Sequence, residues 1–585
     1  MLDFIERLIT RYQSVAHRTR KDTTPHEQIL ASLTLAEAAL RKLRFEQQHP
    51  GGNPQTAVIG PTQAGKSTVV NLLLGKALAG VSALAGFTVH PQGFCVKSRI
   101  DHYPWLPEFF IGYHQVSSAE LAQAPYRAYA ISEAGEAPLP PSLLWDTPDF
   151  DSVDAVGYRD AVLRTAALAD LLLLVVSKDK YADQRVWETL ELLLPLGRPL
   201  MICINKVDEE SRQMVLDSFH HHLKEKKLPP ERFPLCTLPY QKDLDDAGRG
   251  MEPGAVERLR NMVAEPLAQL DRTDQAYHAY RFIRHHWSAW LTPIRAEQAA
   301  EARWKEMVDH SVEQGLIDYR RDYLDHPQNY ETFQQAIAEL LTLLEIPLLA
   351  ESLARARRVI TWPLRRAVDA GKSLFGRKPA GAQKDSNQEQ RLLNQIAHHT
   401  LVHLAEEALR LAETEAEQEN WWKNIARTLR DERPRLEQRF ADAVKSYQAQ
   451  FQPEIERSAH RLYEQLEQQP AMLNTLRTAR VTTDAAAVVL AVKSGGLSIH
   501  DLVVAPAMLS LTSMLAESTL GHYMDRIAAE LKQRQLEAVE KQLFVALGTE
   551  LTALEQRLDP TQRFGISVEE VSAAEQELER LEHGD

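Results

Sequence analysis

Residues 56–68 read TAVIGPTQAGKST. Gly60, Gly65, Lys66 and Ser67 occupy every fixed position of the pattern G-x-x-x-x-G-K-[ST]. A short β-branched run precedes the glycines, and the apolar stretch STVVNLLLG follows them. That strand–loop–helix context gives the match its meaning. Consecutive backbone N–H groups in such a loop wrap a phosphate, and the helix start adds the positive end of its dipole. Lys66 then supplies a point charge for β- and γ-phosphates, and the Ser67 hydroxyl suits Mg²⁺. The expected nucleotide-binding positions here are Gly60, Gln63, Ala64, Gly65, Lys66, Ser67 and Thr68.

Outward from this loop, residues 55–240 alternate apolar strand-like runs with helical segments. The runs are TAVIG, GFCVKS, FFIGYHQV, LLWD, DLLLLVVS, PLMICINK and FPLCTLP. Apolar runs without alternation suit strands covered on both faces, so a mostly parallel sheet flanked by helices is expected. Residues 1–48 read as helical, with Leu2, Phe4, Ile5, Leu8 and Ile9 on one stripe. From about residue 255 onward nearly everything has helical periodicity, which suits an extended bundle or stalk. The chain of 585 residues has 44% hydrophobic and 25% charged content, a globular composition. Its formal charge of −14 speaks against a general nucleic-acid binder. Cys95, Cys203 and Cys236 are sparse and scattered, as for reduced core thiols in the cytosol. The N-terminus carries early acids and no continuous apolar block, so a helix is expected there instead of a signal peptide.

The base is chosen by MICINKVDEE, residues 201–210. Asn205, Lys206 and Asp208 form N-K-x-D at the end of an apolar strand. A carboxylate there accepts from the N1–H and N2–H₂ of guanine, whereas adenine would face it with an acceptor. Asp208 therefore selects GTP. A base-capping motif after the last strand is weak, since LCTLPY offers only Thr237.

With GPTQAGKST, DTPD and NKVD in this order, the chain resembles the translation-factor-related GTPases over roughly residues 55–240. That class includes the Era-like and dynamin-like families. The resemblance implies GTP binding and hydrolysis with Mg²⁺. Within LAGFTVHPQGF, Thr88 stands three before Pro91, as a switch-I threonine does in dynamin-like proteins. It would complete the Mg²⁺ shell beside Ser67, while Asp146 reaches the metal through water. In related GTPases the residue three after that aspartate is glycine, whose N–H meets the γ-phosphate. Here it is Asp149, in the acidic stretch LLWDTPDFDS. A side chain restricts that backbone, and a carboxylate near phosphate is repulsive unless turned away. Hydrolysis that is slow alone, or dependent on self-association, is the expectation. Gln63, one position later than the dynamin glutamine, is the catalytic candidate with Thr88. It either orients water, makes a contact in trans, or solvates the loop.

Breaks and composition shifts along the chain suggest five segments: a neck-like helical segment at 1–52, a GTPase domain at 53–250, and a helical region at 251–376. A flexible loop at 377–390 and a long all-α stalk at 391–585 follow. Residues 353–378 set eight Lys/Arg against Asp369 with apolar residues interspersed, which suits an anionic membrane surface or a basic hinge helix. Residues 484–521 read as an apolar hairpin turning at Gly495-Gly496, too short to span. It is a shallow insertion paddle, a buried stalk tip or a dimer contact. His220–His222, His285-His286, His398-His399 and Trp421-Trp422 read as surface or packing residues. The leading expectation is a cytoplasmic, self-associating, bacterial dynamin-like GTPase, peripheral on the inner face of a membrane. The alternatives are a soluble Era-like regulatory GTPase with a protein partner, and a GTP-binding scaffold that barely hydrolyses.

Overall fold

A computed structural model describes residues 1–16, 23–80, 88–151, 159–241, 250–326, 330–344, 388–470, 473 and 521–583. They fall into two compact units, Met1–Arg295 with Pro560–Asp585, and Ala296–Asp559. The basic segment 353–378 and all but the last residue of the apolar hairpin 484–521 lie outside the described residues.

The first unit is built on eight strands: β1 Gln55–Ile59, β2 Gln92–Val96, β3 His114–Val116, β4 Ala128–Gly135, β5 Ser142–Asp146, β6 Leu171–Ser177, β7 Leu200–Val207 and β8 Leu235–Pro239. Their order is β3-β4-β2-β5-β1-β6-β7-β8. All neighbouring pairs are parallel except β2 with β5. β1 and β6 are buried along their whole length, which is why their sequences are continuous apolar runs instead of alternating ones. Val58 of β1 sits opposite Asp146 on one side and Leu173 on the other. The carboxyl ends of β1, β5 and β7 thereby bring GPTQAGKST, DTPD and NKVD to one edge, where ligands of open α/β sheets bind.

The run FFIGYHQV departs from its strand expectation. It begins as a helical turn, Leu106–Phe109, with Pro107 in its first positions, and Gly112 turns the chain at φ 77°. Phe110 is spent on packing, stacked on Tyr129 at 4.6 Å and tilted against Trp145 at 5.6 Å. Only His114–Val116 is left to pair with β4. β4 itself was not apparent as a strand, because AYAISEAG mixes small and acidic residues into its buried run.

The N-terminal helices Leu2–Ala16 and Thr23–Gln48 belong to this unit. Ile5 and Leu8 of the apolar stripe are fully buried in its core. A buried ionic knot joins the second helix to the sheet. Asp170, whose side chain is 0% exposed, pairs with Lys42 from the helix and with Arg272 at 2.9 Å. It also accepts from the Gln55 backbone N–H and the Gln275 amide, both at 2.8 Å. Burial alone would push this carboxyl up, but Lys42, Arg272 and Arg198 together hold it well below the usual carboxylate range. The C-terminal helix Val568–His583 belongs to the same unit. Its Glu575 and Glu582 meet Arg295 at 2.6 Å and Arg284 at 2.7 Å, and its Glu577 meets the Met1 ammonium.

The second unit is helical. Gln388–Thr414 and Glu419–Glu467 pack along each other, with Glu331–Leu343 and Gly521–Val539 beside them. The helix Gln388–Thr414 carries Glu389 in the core at 3% exposure. It accepts from the Tyr319 phenol at 2.6 Å, the Gln535 amide at 2.7 Å and the Tyr447 phenol at 3.0 Å. No helix among the described residues is long and apolar enough to cross a membrane.

Candidate nucleotide site

The loop between β1 and the helix Lys66–Leu74 is shaped by two glycines. A Cβ at Gly60 would lie 2.1 Å from the Val175 carbonyl oxygen. At Gly65 the backbone is left-handed, φ 92°, and a Cβ would lie 2.3 Å from the Asn205 amide nitrogen. Both positions therefore exclude side chains. Gln63 adopts φ 61° without being glycine, a local strain of the kind found at functional loops.

Two side chains of the N-K-x-D segment brace this strained loop. The Asn205 amide donates to the Ala64 carbonyl at 2.9 Å, and Lys206 donates to the Gln63 carbonyl at 2.7 Å. Both were expected to hold guanine, and the contacts they make here are to the P-loop backbone. The Asp208 carboxylate is different. It stands clear of the loop at 49% side-chain exposure and pairs with Lys178, the residue after β6.

Three oxygens expected around Mg²⁺ come together. The Ser67 hydroxyl donates to Asp146 Oδ2 at 2.7 Å and lies 3.4 Å from the Thr88 hydroxyl. Asp146 is fully buried, and its Oδ1 has no hydrogen-bond partner. Burial lifts this carboxyl to about 6, against the pull of the Ser67 bond and the Lys66 charge. An orphaned carboxylate oxygen with two hydroxyls is an all-oxygen set that fits a hard cation such as Mg²⁺. Thr68 follows in the first turn of the helix.

The departure at Asp149 has a definite geometry. Its carboxylate, in a residue 6% exposed, does not turn away from the loop: it forms a buried ion pair with Lys66. Two residues on, Asp151 accepts from the Thr62 backbone N–H at 2.5 Å and the Thr62 hydroxyl at 2.8 Å. Lys180 meets its other oxygen at 2.5 Å. Burial works to raise the Asp151 carboxyl, but Lys180 and Thr62 outweigh it and hold it below its ordinary value. Asp151, Lys178 and Lys180 were not among the expected site residues. The density of acids in DTPDFDS was the one visible signal, and it did not say which donors they would meet.

Residues 55–206 match the family described as 50S ribosome-binding GTPase. The tRNA modification GTPase MnmE of Halorhodospira halophila is 31% identical over 160 residues, 27% of this chain and 26% of that protein. The chain thus spans about a quarter of the length of the curated relative it matches. Among solved structures, Era of Aquifex aeolicus bound to GDP·AlF₄⁻ is 19% identical, with 37% of this chain and 57% of that chain covered at a TM-score of 0.24. A chain of an oligomerised bacterial dynamin pair, described as sensing and tethering membranes, is 11% identical, with 95% and 82% covered at a TM-score of 0.27. Residues 55–206 carry a P-loop GTPase domain that matches the ribosome-binding GTPase family.

Proposed function

We propose that this chain binds GTP with Mg²⁺ at the P-loop, hydrolyses it to GDP and phosphate, and acts as a self-associating dynamin-like protein at a membrane surface. The observation that carries the nucleotide part is the meeting of Ser67, Thr88 and Asp146 beside the glycine loop, with Asp208 projecting at the end of β7. Ser67 and Thr88 would hold Mg²⁺ directly and Asp146 through water, and the ion would neutralise phosphate charge. The loop amides and Lys66 grip the phosphates, and Asp208 reads the guanine edge. Asn205 and Lys206 keep Ala64 and Gln63 in the conformation that aims those amides. Gln63 is the candidate to orient the attacking water, or to make its contact in a second copy. The membrane part rests on the basic segment 353–378 and the apolar hairpin 484–521 as read from sequence. The match to the ribosome-binding GTPase family supports a second reading, a regulatory GTPase whose helices bind a protein partner.

One experiment separates the readings. GTP turnover by the purified protein is measured with and without anionic liposomes, alongside cosedimentation. Turnover that rises on liposomes, with protein in the pellet, supports the dynamin-like reading. Soluble protein with unchanged turnover favours the regulatory GTPase, and bound GTP without turnover favours a scaffold. The same assay tests Lys66. A hydrogen bond to a charged group is worth about 1.5–3 kcal/mol, so Lys66→Ala is expected to weaken nucleotide binding roughly 10–100-fold. The double variant Lys66→Ala/Asp149→Ala controls for the carboxylate left buried. Wild-type affinity in both would count against the phosphate assignment.

A further inference from the structure

We propose that Asp149 is an internal rival of the γ-phosphate for Lys66 and thereby sets the balance between GTP and GDP at this site. The inference rests on the nucleotide reading given above and goes beyond it in assigning nucleotide discrimination to one residue. Its basis is the ion pair between Asp149 and Lys66, whose side chains are 9% and 4% exposed.

The pair is held from both sides. Before it, the Thr147 hydroxyl donates to the Val58 carbonyl at 2.8 Å, which fixes the segment leaving β5. After it, Asp151 is anchored by Thr62 and Lys180, and Arg185 donates to the Asp151 carbonyl at 2.6 Å. Asp149 is thus carried by a backbone fastened to the P-loop strand at one end and to the P-loop itself at the other. Lys66 has one further contact, with the Pro61 carbonyl at 3.2 Å.

The two phosphates meet this arrangement differently. The β-phosphate lies among the loop amides, which Asp149 does not touch. The γ-phosphate lies toward the segment after β5, where a GTPase with glycine at this position offers a bare N–H. Here the same position presents a carboxylate already on the lysine. GDP brings only its β-phosphate to Lys66, which the lysine can share with the carboxylate standing where γ-phosphate charge would otherwise fall. GTP brings its γ-phosphate to the place the carboxylate holds on that buried cation, and like charges at close range in a protein interior repel strongly. The carboxylate must leave Lys66, and because Asp151 belongs to the same short segment, its hold on Thr62 is strained in the same step. A γ-phosphate therefore reaches Lys66 only by displacing this segment, so that nucleotide state and segment position are linked.

The test is equilibrium titration of the full chain, in Mg²⁺, with fluorescent GDP and a fluorescent non-hydrolysable GTP analogue. Wild type is expected to bind GDP more tightly than the analogue. Asp149→Gly and Asp149→Asn are each expected to raise the ratio of analogue to GDP affinity at least tenfold, which is about 1.4 kcal/mol. The asparagine variant keeps side-chain size and drops the charge, so agreement between the two excludes a pure backbone effect. An unchanged ratio in Asp149→Asn, or equal shifts for both nucleotides, overturns the proposal while leaving the nucleotide site standing. Binding of neither nucleotide by wild type or variants removes the site reading, and the proposal with it.

Discussion

Asp208→Asn is expected to lower GTP affinity by roughly 10–100-fold or more, because one of two hydrogen bonds to a charged acceptor is lost at about 1.5–3 kcal/mol and the other loses its charge. The loss is not a general one. Asparagine presents a donor and an acceptor where the carboxylate presents two acceptors, so it repels one of the two guanine N–H groups and suits a base with a carbonyl there. Xanthine nucleotides carry that carbonyl, and their affinity is expected to rise in the same variant. The side chain is suited to such a test because it is half-exposed and its ion pair is with Lys178, at 35% side-chain exposure. Exposed pairs contribute about 0–1 kcal/mol to stability, so the melting curve of Asp208→Asn should overlay that of wild type. Competition binding with GTP, XTP and ATP measures the switch. Unchanged GTP affinity would remove Asp208 from the base site, and loss of all three nucleotides alike would point to misfolding.

Asp170→Ala is expected to destabilise the first unit by about 3–5 kcal/mol, the cost of breaking a buried ion pair by removing one partner. The variant strands Lys42 and Arg272 in the interior and leaves the Gln55 N–H and the Gln275 amide without their acceptor. Domains are stable by only about 5–15 kcal/mol, so this is a large share. Asp170→Asn keeps an acceptor and the shape and should lose less. The sign of the pH dependence follows from the depressed carboxyl. Its contribution is fully present above the unfolded value near pH 3.9, and it is lost as pH falls below that value toward the folded one. Urea unfolding at pH 7 and at about pH 3, below the unfolded value, reads both effects. A loss in Asp170→Ala below about 1 kcal/mol, the level of an exposed pair, would show that the knot contributes packing only. The knot joins helix Thr23–Gln48 to β6 and to the start of helix Gln275–Tyr319, so a weakened knot is expected to free the N-terminal helices first.

Much of the nucleotide site was legible because its chemistry constrains neighbours in sequence. A phosphate cradle needs glycine where a Cβ would strike the Val175 carbonyl or the Asn205 amide, and those needs appear as letters at fixed spacing. Continuous apolar runs reported strands buried on both faces, and β6 is such a strand. Where a run served packing instead of pairing, as with Phe109 and Phe110, the same letters misreported a strand.

The amino-acid order by itself determined the GTPase domain, the sheet edge at which its motifs meet, and the helical character of the described residues beyond it. It also showed that an acid stands where related GTPases have glycine. Which way that acid points was decided only by tertiary structure, since Asp149 and Lys66 are 83 positions apart and no local spacing relates them. The same holds for Asp151 on Thr62, for the Asp170 knot drawn from both ends of the sheet domain, and for the return of Val568–His583 to the first unit. Local pattern reports backbone conformation and one buried face. The partner of a buried charge depends on which distant segments pack against it, because its cost of desolvation is met only by the groups the fold brings there.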